Sequence, residues 1–244
     1  MSQLDLACEA EISTRHLSFV ETGRALPSRE MILHLAEQLD IPMRERNVLL
    51  VAAGYAPLFP ERALAAPELK AAREAIDLLL EGHKPYPAFA LDRHWNVVAT
   101  NGALPALYDG VEAALLEPPV NVMRLSLHPD GLSPRILNLA EWRGHLLSRL
   151  RRQIDLTADP VLIALLKEMQ AYGRGLSLAH PGPAPTDMVI PLRLKIAAGV
   201  LTFFSTTMVF GTPVEVTLSE LALESFFPAD AETAAIVRSL APLA

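Results

Sequence analysis

Residues 13–24 read Ser-Thr-Arg-His-Leu-Ser-Phe-Val-Glu-Thr-Gly-Arg, and their spacing describes a recognition surface rather than a catalytic one. At about 100° per residue, Leu17 and Val20 fall on one side of a helix and form a core seam. Thr14, Arg15, Ser18, Phe19 and Thr22 fall on the other. That second set is short, mostly hydrogen-bonding, and carries one guanidinium, which suits a surface that probes base edges. Reactive chemistry has no comparable constellation. The chain contains no Cys-x-x-Cys, no His-Glu-x-x-His, no glycine-rich phosphate loop and no Gly-x-Ser-x-Gly. The seven histidines (His16, His34, His83, His94, His128, His145 and His180) are scattered without metal-ligand spacing. Arg149, Arg151 and Arg152 read as solvated cations at a helix C-terminus, where the dipole favours them. No catalytic residue, metal ligand or cofactor motif is predicted.

The elements that must hold the recognition surface are short helices. Ser13 is a natural N-cap and Gly23 a natural stop. Upstream, Ser2 and Asp5 form a Ser-x-x-Asp capping box that opens a helix to about Cys8. Two short helices across a tight turn make a helix-turn-helix, whose second member enters the major groove N-terminus first. Ile32, Leu35, Ala36 and Leu39 predict a further helix over 28–39, and another spans 43–53 beyond Pro42.

These residues resemble the Xre/phage-repressor class of helix-turn-helix. The likeness rests on Ser2-Gln3 with Ala7, Ile12-Ser13, Leu17, Glu21-x-Gly23-Arg24, Pro27-Ser28 and Leu35-Ala36-x-x-Leu39, within residues 1–54. It implies that Thr14, Arg15 and Phe19 face bases, with Ser18 on the same face. Arg15 would take a guanine bidentately and Phe19 would touch a thymine methyl. Gln3, Ser13, His16, Thr22 and Arg24 would serve the backbone phosphates, which fix register without reading sequence. The class has five helices, and the sequence opens directly on the second, so helix one is expected to be missing. Glu21 then lacks the arginine it pairs with in that class and is expected to turn to water. Glu11 stands where the class often has glycine.

Composition bounds the remainder. The 244 residues are 51% hydrophobic, enough for a sizeable core. The formal charge is −7, and over residues 1–60 five arginines face eight carboxylates. Affinity for DNA would therefore depend on a few placed groups, not on bulk attraction. The single Cys8, read as a small packed residue, fits a reducing cytoplasm. The run 189–210 is interrupted by Arg193, Lys195 and Gly199, so no membrane span is predicted.

Residues 55–67 carry three prolines and read as a linker to a second block over 68–244. There the pattern predicts a helix over 68–80, short strands over 87–91 and 95–100, and a helix from Asn101 toward Tyr108. Long helices follow over 133–154 and 160–172, then a hairpin of 188–196 with 200–210 around Ala197-Ala198-Gly199. A strand over 218–227 and a helix over 231–240 complete it. The plan is a mainly α reader followed by an α+β domain with an antiparallel sheet.

The second block is similar to MmyB-like ligand-binding domains, which are PAS-like and sit behind Xre-type readers. Leu91-Asp92-x-x-Trp95-x-Val97-x-Ala99-x-Asn101-x-Ala103, Phe203-Phe204-Ser205-Thr206 and the run 224–230 carry that likeness. It implies a sensor for a small apolar molecule, with a fatty-acyl chain as a candidate ligand. Trp95, Val97 and Ala99 are expected on one strand face, with Phe203 on another strand and Trp142 on the long helix closing over them. Asn101 reads as a helix cap with an added place in the pocket. A solid core of the same side chains is the alternative. Two functions are consistent with the whole: a ligand-responsive, homodimeric regulator reading double-stranded DNA, or a small-molecule-binding or dimerisation protein whose reader does not function.

Overall fold

The computed structural model describes residues 2–103, 107–173 and 190–240. The chain divides into two units, Met1–Arg62 with Thr212–Ser219, and Ala63–Gly211 with Glu220–Ala244.

The first unit is helical: α1 (Gln3–Glu9), α2 (Thr14–Glu21), α3 (Arg29–Gln38) and α4 (Met43–Ala52). Local side chains set three of the four starts. Ser2 and Asp5 close the capping box, with the Asp5 amide donating to Ser2 Oγ and the Ser2 amide to Asp5 Oδ2. Ser13 accepts from the His16 amide and Ser28 from the Met31 amide. Pro42 precedes α4 without a side-chain cap. Ala7, Ala10, Leu17, Ile32, Ala36 and Leu50 are buried, and His34 Nε2 sits 3.0 Å from the Ala10 carbonyl. Leu4, one turn before Ala7, stays 59% exposed. Cys8 is exposed rather than packed, because Ala7 and Ala10 take the inner face of that segment.

Between α1 and α2 the backbone of Glu11 is left-handed, at φ 50°. That conformation crowds Cβ against the following carbonyl, and only glycine escapes the cost. Glu11→Gly should therefore stabilise this unit by about 0.5–1 kcal/mol, after allowing for the looser unfolded chain. Amide exchange of α1 to α3 measures it; faster exchange in the variant counts against the assignment.

The proline-rich stretch that reads as a linker is in part tied to α4. Asn47 Oδ1 accepts from the Leu58 and Phe59 amides, and its Nδ2 donates to the Phe59 carbonyl. The segment Thr212–Ser219 joins the same unit. Its buried Glu215 accepts from the amides of Arg62, at 2.7 Å, and Leu218, at 2.9 Å, while the Val216 amide donates to the Pro60 carbonyl. A short helical turn, Val216–Ser219, opens the residues predicted as a strand over 218–227; the strand itself begins at Ala222.

In the second unit α5 (Lys70–Gly82) leads into β1 (Ala88–Leu91) and β2 (Val97–Thr100). There follow α6 (Val122–Leu127), α7 (Leu139–Thr157), α8 (Pro160–Tyr172), β3 (Leu192–Ile196), β4 (Gly199–Val209), β5 (Ala222–Pro228) and α9 (Ala231–Leu240). The five strands form one antiparallel sheet in the order β2-β1-β5-β4-β3. The predicted hairpin is β3 with β4; its first residues, 188–189, lie outside the described residues, as does much of the helix predicted from Asn101 toward Tyr108. The long helix begins at Leu139, not at residue 133. Ser133–Arg135 winds into a 3₁₀ turn instead, and Asn138 spends its side chain on the sheet edge, accepting from the Arg193 amide and donating to the Pro191 carbonyl. Among the described residues no helix is long and apolar enough to cross a membrane.

Candidate functional site

On the first unit, Arg15 and Phe19 stand one helical turn apart on α2, with the guanidinium carbon 5.3 Å from the ring centroid. Gln3, Thr14, Arg15, Thr22 and Arg24 are exposed, whereas His16, Ser18 and Phe19 are half-buried. Several of these polar groups have partners inside the unit. Ser13 caps α2, and the Thr22 hydroxyl donates to the Ser18 carbonyl at 2.7 Å. Gln3 Nε2 donates to Glu21 Oε2 at 2.5 Å, so the exposed Glu21 has a neighbour of its own. Thr14, Arg15 and Arg24 extend from this surface, Arg24 just beyond Gly23, whose φ of 70° ends the helix.

In the second unit a cavity of about 50 Å³ lies between the sheet and the helices over it. The sheet supplies Phe89, Phe226, Phe203, Leu192 and Leu194. Alternation explains that set: Leu192 pairs with Phe203 and Leu194 with Leu201 in the β3–β4 ladder, so one face of the hairpin is apolar throughout. Opposite them stand Val122, Leu125 and Ser126 of α6 and Trp142 of α7. Pro87, Leu107, Tyr108 and Leu132 complete the wall. Burial pushes the Tyr108 phenol well above the usual tyrosine range, so it stays neutral.

Of the ligand-binding candidates, Trp142 and Phe203 come together on this cavity; Trp95, Val97, Ala99 and Asn101 are not among its wall. A register break between Ala90 and Leu91 sets Val97 opposite Leu91 and Ala99 opposite Ala90, which places the two on different sides of the sheet. Asn101 is buried in the backbone, accepting from the Ala88 amide and donating to the Tyr86 carbonyl at 2.7 Å. Trp95 turns its indole nitrogen to Gln153, 2.9 Å away. The sequence pattern gives no helix at α6, because the residues between Tyr108 and Ser133 read as a loop rich in proline and asparagine; Asn121, which accepts from the Met123 and Arg124 amides, is the one local sign of the helix.

Arg149 is not a solvated helix-end cation. The helix continues to Thr157, and Arg149 points inward, paired with buried Glu224 of β5 and lying 4.8 Å from the Trp95 ring. Thr207 also donates to Glu224. Beside it, burial and the Arg149 charge lower the His145 pKa from its ordinary 6.5. The unfolded chain protonates this imidazole as pH falls through that value, and the folded chain resists. The stability that His145 contributes to the second unit is therefore full above pH 6.5 and is lost as pH falls below it. His145→Gln should flatten the dependence of melting temperature on pH between about 7.5 and 5.5; an unchanged slope would assign it elsewhere. Asp159 works at lower pH. Burial pushes its carboxyl up, but His94 at 3.0 Å, the Val161 amide at 2.8 Å and Arg93 at 3.1 Å outweigh that and hold it below the usual range. Among the described residues, no three His, Cys, Asp or Glu side chains gather to hold a metal.

The family model for the MmyB-like transcription regulator ligand binding domain matches residues 72–240, and the chain belongs to that family. Among solved structures it is similar to the PAS domain from Bordetella pertussis BvgS, at 14% identity and a TM-score of 0.32, over 70% of this chain and 95% of that one. No curated protein matches it.

Proposed function

We propose that this member of the MmyB-like family is a ligand-responsive transcription regulator, which reads operator DNA through α1 and α2 and senses a small apolar molecule in the cavity of its second unit. The observation that carries the reading is that cavity: an apolar space inside the family-matched unit, walled by Phe89, Phe203, Phe226 and Trp142. At about 50 Å³ it is smaller than ligand-filled pockets, which run to several hundred. Ligand entry then requires the walls to part. That is the property a sensor needs, since a ligand shifts an equilibrium only as far as it prefers one state. A fatty-acyl chain is a candidate that would widen the space along its length. The regulator acts in the cytoplasm as a homodimer, which sets two α2 helices about one DNA turn apart.

Arg15 reads one base in this scheme, with Thr14 and Phe19 beside it, and Gln3, Ser13, His16, Thr22 and Arg24 hold phosphates. Selection of binding sites from random duplexes, followed by titration of variants, tests it. Arg15→Ala should relax preference at one position and cost about 1–3 kcal/mol there, whereas Arg24→Ala should weaken all sequences alike. Uniform weakening by Arg15→Ala would make Arg15 a phosphate contact. Failure to select any sequence would favour the second reading, a small-molecule-binding or dimerisation protein without a working reader. The excess of carboxylates over residues 1–60 and the engagement of Gln3 by Glu21 support that reading.

A further inference from the structure

One residue of the cavity wall carries a buried hydrogen-bond donor that has no partner among the described residues. Trp142 is only 4% exposed, its Nε1 is shielded from solvent, and that N–H finds no acceptor among the described residues. A buried donor left in this state is costly, and native proteins rarely tolerate one without a reason. Trp95, the other tryptophan of the chain, shows the ordinary solution, with its indole satisfied by Gln153. Tyr108 and Ser126 add two hydroxyls to the same wall. Among the described residues, none that lines the cavity is charged.

These facts define a ligand beyond the word apolar. An ionised carboxylate entering this space would leave water and meet no cation, an expense that its attraction to neutral donors does not offset. A pure hydrocarbon would leave the indole unsatisfied. Resting on the sensor reading above, we propose that the ligand is a neutral apolar molecule carrying an acceptor oxygen, such as an ester, ketone, amide or un-ionised acid, and that Trp142 Nε1–H donates to that oxygen. Trp142 is then a specificity residue as well as a wall. Tyr108 strengthens the selection, because its phenol stays un-ionised and can donate but presents no positive charge.

Two tryptophans give two indole resonances in a ¹H–¹⁵N spectrum of the full chain, and Trp142→Phe assigns them. The probes are methyl hexanoate, heptane and hexanoate at pH 8. Methyl hexanoate should bind and move the Trp142 N–H proton downfield, whereas heptane should bind without that shift. Hexanoate should bind at least about tenfold more weakly than the ester. Trp142→Phe, which keeps an aromatic ring but removes the donor and part of the indole volume, should cost the ester about three- to tenfold in affinity relative to heptane. Equal binding of ester and heptane with an unmoved indole would overturn the acceptor and leave the cavity a sensor of hydrocarbon. Hexanoate binding as tightly as the ester would overturn neutrality. If none of the three binds, the sensor reading itself fails and takes this proposal with it.

Discussion

Arg149→Met is expected to destabilise the second unit by about 3–5 kcal/mol. Glu224, 3% exposed on β5, sits at the register position opposite Phe89 of β1 and Thr207 of β4, in the middle of the sheet. Its carboxylate is held by Arg149 and by the Thr207 hydroxyl. Removing the guanidinium leaves a carboxylate with one neutral donor in a place water does not reach, and that uncompensated charge sets the size of the loss. The Trp95 face loses its cation as well, a smaller effect. Arg149→Met with Glu224→Leu should recover most of the stability, since a pair replaced by apolar side chains of similar volume is close to neutral. Urea unfolding followed by tryptophan fluorescence reports on this unit, because Trp95 and Trp142 both belong to it. A loss below about 1 kcal/mol for Arg149→Met would mean that Glu224 is reached by solvent after all.

Phe203→Ala should cost a similar amount, about 3–5 kcal/mol, and should change binding in the opposite sense. Phe203 is 1% exposed, pairs across the ladders with Leu192 and Pro228, and meets the Phe226 ring edge-on with centroids 6.0 Å apart. Its truncation removes packing and enlarges a cavity that already exists beside it. An apolar molecule that fills the enlarged space returns part of the loss, about 2.7 kcal/mol at a hundred times its dissociation constant. Toluene or methyl hexanoate should therefore raise the melting temperature of Phe203→Ala more than that of the unaltered chain. Equal shifts would show that the vacated volume is not continuous with the cavity.

The parts of this protein that were legible in the sequence are those whose partners lie within a few residues. Ser2 with Asp5, Ser13 and Ser28 announce three helix starts, because a capping hydroxyl reaches an amide three positions on. Alternation in Leu192, Leu194, Leu201 and Phe203 announces a hairpin with one apolar face, because side chains alternate along a strand. Phe203 belongs to that face and Trp142 to the helix read over 133–154, and the succession of helical and strand periods announces the α+β plan.

Other features have distant causes. Arg149 carries no local sign that it turns inward, since Glu224 follows it by 75 residues. The prolines after α4 suggest free chain, yet Glu215 holds the Arg62 amide from 153 residues away. Val97 and Ala99 share a face under strict alternation, and a single break in the β1–β2 register separates them. In each case the short-range pattern is compatible with two arrangements, and the choice rests on a buried charge, a buried amide or a strand register whose partner is remote in sequence. Local hydrogen bonds and periodicity determined the elements and their order; burial, which depends on what the rest of the chain brings alongside, decided which side chains face the cavity and which face each other.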